Sequence, residues 1–184
     1  TVASPYDVWV DHNGSIYVAE YQYCVVRRID PFSPRMTVIL GQFSVCETMP
    51  LNGSTQSSDV TISGPFGLCG DDHYLYVTFQ DTSGILRVDL THETLMVERI
   101  TGDSDAELVA VGVPAASVRF RGGCGCAVDL NRNLVIAAGD RNSVFMISNA
   151  TKTIESVVGY TLGVSLPIST AYIRSILVRT MWIE

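Results

Sequence analysis

The side chains able to do chemistry in this 184-residue chain are few, and their spacing limits what they could do. His12 and His73 occupy equivalent turns of two successive segments, and His92 stands apart. A recurring turn histidine suggests a shared metal site, but equivalent turns of neighbouring units are expected to lie far apart. Both are therefore read as surface turn residues. Asp11, Asp71 and Asp129 recur in the same way, each closing a short apolar run. A ring of carboxylates could hold a cation. Their recurrence points instead to a fold-building role, each capping its own hairpin through side-chain to backbone hydrogen bonds. Asp71-Asp72 and the Asp103/Asp105 pair read as turns rather than as catalytic carboxylates.

The cysteines are Cys24, Cys46, Cys69, Cys124 and Cys126, and no two are spaced as Cys-x-x-Cys, which argues against a structural zinc site. The sequence favours small buried hydrophobes over a disulfide framework. Cys124 and Cys126 alternate within one apparent strand and so share a face. Cys124 has no base nearby in sequence to make it a nucleophile. No Gly-x-Ser-x-Gly, His-Glu-x-x-His or phosphate-loop motif occurs, and no helix follows the glycine-rich stretch Gly122-Gly123-Cys124-Gly125-Cys126. No catalytic residue, metal ligand or cofactor is assigned.

The elements that must position these residues come in repeats. Pro5-Tyr6-Asp7-Val8-Trp9-Val10-Asp11 aligns with Pro65-Phe66-Gly67-Leu68-Cys69-Gly70-Asp71, and with Gly123-Cys124-Gly125-Cys126-Ala127-Val128-Asp129. After a turn, Ile16-Tyr17-Val18-Ala19-Glu20 aligns with Leu75-Tyr76-Val77-Thr78-Phe79 and Leu134-Val135-Ile136-Ala137-Ala138. Third strands ending at Asp30, Asp89 and Ser148 follow, then short apolar runs ending at Gly41, Gly102 and Gly159. Asn13-Gly14 predicts a type I′ hairpin turn. Met49-Pro50-Leu51, Val113-Pro114-Ala115 and Leu166-Pro167-Ile168 each precede the next unit. The expected division is 1–59, 60–115 and 116–168, with 169–184 the truncated start of a fourth unit.

Units of this length with four short strands and no helix fit the blades of a β-propeller. The pattern resembles the NHL repeat family, on Pro65-Phe66-Gly67-Leu68 and on Asp11-His12-Asn13-Gly14-Ser15-Ile16-Tyr17-Val18-Ala19-Glu20. Departures are Asp7 where the family favours Gly, and Glu20, Phe79 and Ala138 where it favours Asp. The fold class expected is all-β: a propeller segment of about three four-stranded antiparallel blades in an incomplete ring. One blade cannot bury both its faces, so further blades or another chain are needed to close the ring. The resemblance also admits propeller enzymes, lyase-like or lactonase-like. Their inward His and Glu ligands have no counterpart in first strands that present Val8, Val10, Leu68 and Cys126. A non-catalytic scaffold leads, with an enzyme whose catalytic residues lie in further blades as the alternative.

A net charge of −7 disfavours nucleic acid as a partner. The longest uncharged run, residues 157–173, falls short of the ~20 residues of a membrane-spanning helix. A protein or small ligand is instead expected on a face built from loops 42–59, 103–115 and 160–167 and the strand-connecting turns. Tyr21, Tyr23, Asp81, Asp140, Arg141 and Asn142 are the candidate contacts there. Asn13, Asn52 and Asn149 each open an Asn-x-Ser/Thr sequon in a predicted turn or loop, which leans the setting towards the secretory pathway.

Overall fold

The computed structural model describes residues 2–49, 51, 53–80, 84–102, 107–108, 111–120, 125–138 and 142–159. They form an arc of three antiparallel sheets, one per repeat, with no α-helix among the described residues. Blade 1 contains β1 (Pro5–Val10), β2 (Ile16–Glu20), β3 (Val25–Asp30) and β4 (Ser33–Leu40) in sequential order. Blade 2 contains β5 (Thr55–Gln56), β6 (Pro65–Gly70), β7 (Tyr74–Phe79), β8 (Ile85–Asp89) and β9 (Met96–Arg99). Blade 3 contains β12 (Gly125–Val128), β13 (Leu134–Ala138), β14 (Ser143–Ile147) and β15 (Ile154–Gly159). A short parallel pair, β10 (Glu107–Leu108) and β11 (Val118–Arg119), lies between blades 2 and 3 in sequence.

Blade 2 has five strands where four are expected, because β5 comes from the preceding linker and pairs with the outermost strand, β9. The linkers repeat in structure, but not at the prolines that suggest it. A 3-10 turn at Ser57–Asp59 corresponds to one at Ala115–Ser117. Ser57 donates its N–H to Leu95, and Ala115 donates to Lys152, each clasping the linker to the last hairpin of its own blade. Pro114 therefore matches Gln56, the residue before the first 3-10 turn, and not Pro50.

The recurring aspartates cap their hairpins. Asp11 Oδ1 accepts the N–H groups of Asn13 and Ser15, Asp71 Oδ1 those of His73 and Tyr74, and Asp129 Oδ1 those of Asn131 and Asn133. Asp30, Asp89 and Ser148 do the same in the turns between third and fourth strands, for Phe32, Thr91 and Thr151. Two details differ from expectation. Asn13-Gly14 does not form a type I′ turn: Gly14 alone is left-handed (φ +83), after a turn closed by its N–H to the Asp11 carbonyl. This is a three-residue loop ending in a left-handed residue. Nor do the equivalent turns lie far apart: His12 Nδ1 is 3.1 Å from Asp72 Oδ1, and Arg132 Nε is 3.8 Å from Asp71 Oδ2. The first hairpins sit at the inner edge of the arc, where neighbouring blades are closest.

Cross-strand register puts alternate residues on opposite faces, and each face packs on a neighbouring blade. Between blades 1 and 2 lie Tyr17, Ala19, Val26 and Leu40 against Leu68, Leu75, Val77 and Leu86, with Val60 and Ile62 of the linker. Between blades 2 and 3 lie Cys69, Tyr76 and Ile85 against Leu134, Ile136, Phe145 and Ile147. Val8, Leu68 and Cys126 do not line a common inward row. Leu68 and Cys126 pack towards the preceding blade, and their equivalent Val8 meets open space. Val8, Val10 and Val38 are 56%, 53% and 44% exposed on that face of blade 1. The arc is therefore an incomplete ring with an apolar flank.

The cysteines are a correction. They do not act as free buried hydrophobes: Cys24 is bonded to Cys46 and Cys69 to Cys126, with Cα separations of 5.2 and 5.7 Å. Cys69 and Cys126 lie in different blades, and Cys46 lies in the loop after β4 that folds back onto the Cys24 turn, so spacing along the chain carried no sign of either pair. Cys124 lies outside the described residues.

Candidate functional site

Each blade has two ends. The hairpin end carries the turns between first and second and between third and fourth strands. The linker end carries the turns between second and third strands, the starts of the first strands, and the loop after β4. Tyr21 and Tyr23 sit at the linker end, in a turn closed by the Cys24 N–H to the Tyr21 carbonyl at 3.2 Å. Cys24 is left-handed there (φ 54), as are Gly84 (φ 115) and Asn142 (φ 49) immediately before the third strands of the other blades. This shared conformation lets the chain reverse tightly.

Tyr21 does not stand alone. Its ring centroid is 4.9 Å from that of Tyr6, which is 5.3 Å from Phe66 of blade 2. Tyr6 and Phe66 each follow the proline that opens a first strand, so the repeat delivers one aromatic from each of blades 1 and 2 to this rim. A second pair lies beside it: Tyr23 and Phe43, 4.1 Å between centroids. Phe43 belongs to the loop after β4, which is tied down by Ser44 N–H to the Tyr23 carbonyl (3.0 Å) and by the Cys24–Cys46 disulfide. Beneath it the Arg27 guanidinium lies 6.0 Å from the Phe43 centroid. Arg27 is held by an ion pair to the fully buried Glu20, whose other oxygen accepts the Ala3 N–H. Such a supported cation favours an aromatic face above it. Tyr6 and Phe43 remain 49% and 52% exposed, so both clusters present ring surface to solvent.

Of the residues expected to make contacts, Tyr21 and Tyr23 thus join aromatic clusters. Asn142 is exposed at the same end, and its left-handed backbone also gives it a turn-forming role. Asp81, Asp140 and Arg141 lie outside the described residues, as does Asn52. Asn13 and Asn149 are exposed in hairpin-end turns. Sequence reasoning missed Tyr6, Phe66 and Phe43. The Pro-aromatic pairs Pro5-Tyr6 and Pro65-Phe66 were the available signal for the first two, and nothing nearby in sequence marks Phe43.

Among the described residues no three His, Cys, Asp or Glu side chains converge as a metal centre requires. No helix among them is long and apolar enough to cross a membrane. Most of the uncharged run 157–173 lies outside the described residues.

No protein-family profile matches the chain, and no curated protein is similar to it in sequence. Solved structures do match. An auxiliary nutrient binding protein from Bacteroides thetaiotaomicron VPI-5482 aligns with a TM-score of 0.55 at 13% identity, over 85% of this chain and 36% of its own. A protein of unknown function from the same organism aligns at 0.57 and 18%, over 84% and 35%. An auxiliary nutrient binding protein from Bacteroides ovatus ATCC 8483 aligns at 0.54 and 16%, over 80% and 34%. The chain spans about a third of the length of these structures. At such identities the likeness concerns the fold alone: this chain is a segment of a β-propeller.

Proposed function

We propose that the chain is part of an NHL-like β-propeller that works as a non-catalytic, extracellular binding scaffold, holding a protein or ligand at its linker end. The observation that carries this reading is the exposed aromatic rim, in which Tyr6 bridges Tyr21 of its own blade to Phe66 of the next. Large rigid aromatics at low entropy cost are the groups that dominate recognition surfaces. Tyr23, Asn142 and the turn residues Asp81, Asp140 and Arg141 extend the proposed surface.

The extracellular setting is supported by the two disulfides, which persist in oxidising compartments. It is supported also by the sequons, for which we propose N-glycans at Asn13, Asn52 and Asn149. Asn13 and Asn149 both lie at the hairpin end, where glycans leave the aromatic rim clear. The plan of three blades and the start of a fourth at residue 169 is retained, with the linker segments that open at Thr55 and Gly112 assigned to the blade that follows each, and with further blades or another chain covering the flank of Val8 and Val10. The structural neighbours described as nutrient binding proteins are in keeping with a binding role.

A direct test is to immobilise the 184-residue chain and probe it with arrays of extracellular oligosaccharides and secreted proteins. Tyr6→Ala and Phe43→Ala should abolish capture that wild type shows, while substitutions at the hairpin end leave it intact. Capture that is indifferent to both aromatic substitutions would sink the proposal.

A further inference from the structure

A cleft of about 280 Å³ opens at the hairpin end, between blades 2 and 3 and far from the aromatic rim. Its floor is apolar, made by Tyr76, Ile100, Leu134 and Ile147, and its walls carry Arg87, Arg99, Arg132 and Lys152 with Glu98 as the one lining carboxylate. The volume stands near the lower end of small-ligand pockets, about 300 Å³. Four cations in one cleft are a third of the twelve Lys and Arg in a chain of net charge −7. Arg87 is neutralised by its ion pair to Glu98 and stacks over Tyr74, 4.2 Å from the ring centroid. Arg132 has only a long contact, 3.8 Å, to Asp71. Lys152 donates to the neutral Asn149 side chain at 2.9 Å. Among the described residues Arg132 and Lys152 therefore line the cleft with no carboxylate closer than 3.8 Å to either.

The backbone adds a second, independent observation. Arg132 and Lys152 are both left-handed, with φ of 62° and 58°. That conformation disfavours every residue with a side chain, and glycine adopts it freely. At the position equivalent to Arg132, blade 1 has Gly14. Blade 3 instead sets cations at its two left-handed hairpin positions, and both line this cleft.

We infer that the cleft between blades 2 and 3 is a binding site for a small organic anion, a phosphate or carboxylate carried on a flat apolar body. The charged group meets Arg132 and Lys152 at the mouth, where charge-assisted hydrogen bonds form. The apolar body lies on Ile100, Leu134 and Ile147. This site is separate from the rim proposed above, but Asn149 lines its mouth, so it takes its ligand in chains whose Asn149 carries no glycan.

The test uses the 184-residue chain exported to a bacterial periplasm, where disulfides form and no glycan is added to Asn149 at the mouth. Phenyl phosphate is the probe, phenol the apolar body without the charged head and inorganic phosphate the charged head without the body, all followed by ligand-observed NMR. Phenyl phosphate should saturate the site and bind at least tenfold more tightly than either control, weakening as salt is raised. Arg132→Gly/Lys152→Gly should lower that affinity tenfold or more while the thermal midpoint stays the same or rises, because glycine relieves both left-handed positions. Arg132→Gln/Lys152→Gln, which keeps the backbone strain and removes the charge, should lose binding equally. Tyr6→Ala should bind as wild type. Equal binding of phenol, equal binding of inorganic phosphate, or full binding by either double variant would overturn the inference.

Discussion

The two junctions between blades solve the same problem with different chemistry. Both join innermost strands at equivalent positions. Between blades 1 and 2, the Asp7 carboxylate accepts the Leu68 N–H at 2.8 Å, and Trp9 lies so close to Gly70 that an added Cβ would come within 2.9 Å of the indole. Between blades 2 and 3 the bridge is covalent, through Cys69 and Cys126, and Cys69 stands where Trp9 stands one blade earlier. The strands and capped hairpins are held constant while the contacts between blades vary. A shared backbone needs only that each junction exclude water and fix the angle, and an indole on a glycine or a disulfide does either.

The comparison breaks most visibly under reduction. Cys69→Ala/Cys126→Ala opens a loop spanning 57 residues of sequence, which the chain-entropy relation puts at about 4 kcal/mol. Chemical denaturation should show a loss of that order and, if the junctions are independent, leave the Trp9 fluorescence of blade 1 unchanged in a Trp182→Phe background. Simultaneous loss of the Trp9 signal would show instead that the blades unfold as one unit.

Alkali should act on the other junction. Burial, reinforced by Asp11, pushes the Tyr17 phenol up to about 12 from 10.0. The folded state therefore holds this proton more tightly than the unfolded chain. The stability it contributes is complete below pH 10 and is lost as pH rises through about 12. Tyr17→Phe should flatten the urea midpoint across that window; an unchanged slope would remove Tyr17 as its cause. Burial also raises Tyr76 in the second junction, but Arg87 pulls it back, so a smaller alkaline effect is expected there.

Gly70→Ala comes next. The new methyl meets the Tyr74 carbonyl as well as Trp9, at 2.5 Å from backbone that cannot swing aside. Overpacking of this kind costs about 2 kcal/mol, readable as a fall in the thermal midpoint. The equivalent Val128 in blade 3 already carries a side chain, so Val128→Ala should behave as an ordinary cavity substitution. Asp7→Ala is the mildest, about 1 kcal/mol, for the one charge-assisted hydrogen bond across the junction and an exposed local one to the Val8 N–H. A double-mutant cycle of Asp7→Ala with Gly70→Ala should show coupling, since both act on the same pair of strands.

Most of the fold was legible because its grammar is local. Alternating apolar residues and a capping aspartate every blade are readable without knowing what lies across the interface, and Asp11, Asp71 and Asp129 do what their spacing implies. Left-handed positions were partly hidden, because the conformation recurs at Cys24, Gly84 and Asn142 while the residue does not. What could not be read was whatever joins distant segments. Cys69 and Cys126 look like two apolar strand residues until blades 2 and 3 are set side by side. Phe43 gains meaning only when the Cys24–Cys46 bond folds its loop over Tyr23. The cationic cleft is assembled from two blades and a linker, so no run of sequence displays it.

The clasp of each linker on the outer strand of its own blade bears on how such a chain is copied and cut. Because β5 and its 3-10 turn pair with the last hairpin of blade 2, the segment that closes on itself begins at Thr55, ahead of the first strand at Pro65. A recombination breakpoint between residues 47 and 54 hands over a blade with its β5–β9 pairing intact. One between residues 59 and 64 strips β9 of its neighbour and leaves an unpaired edge. Duplications, deletions and engineered splices in this architecture should therefore tolerate the first cut and reject the second.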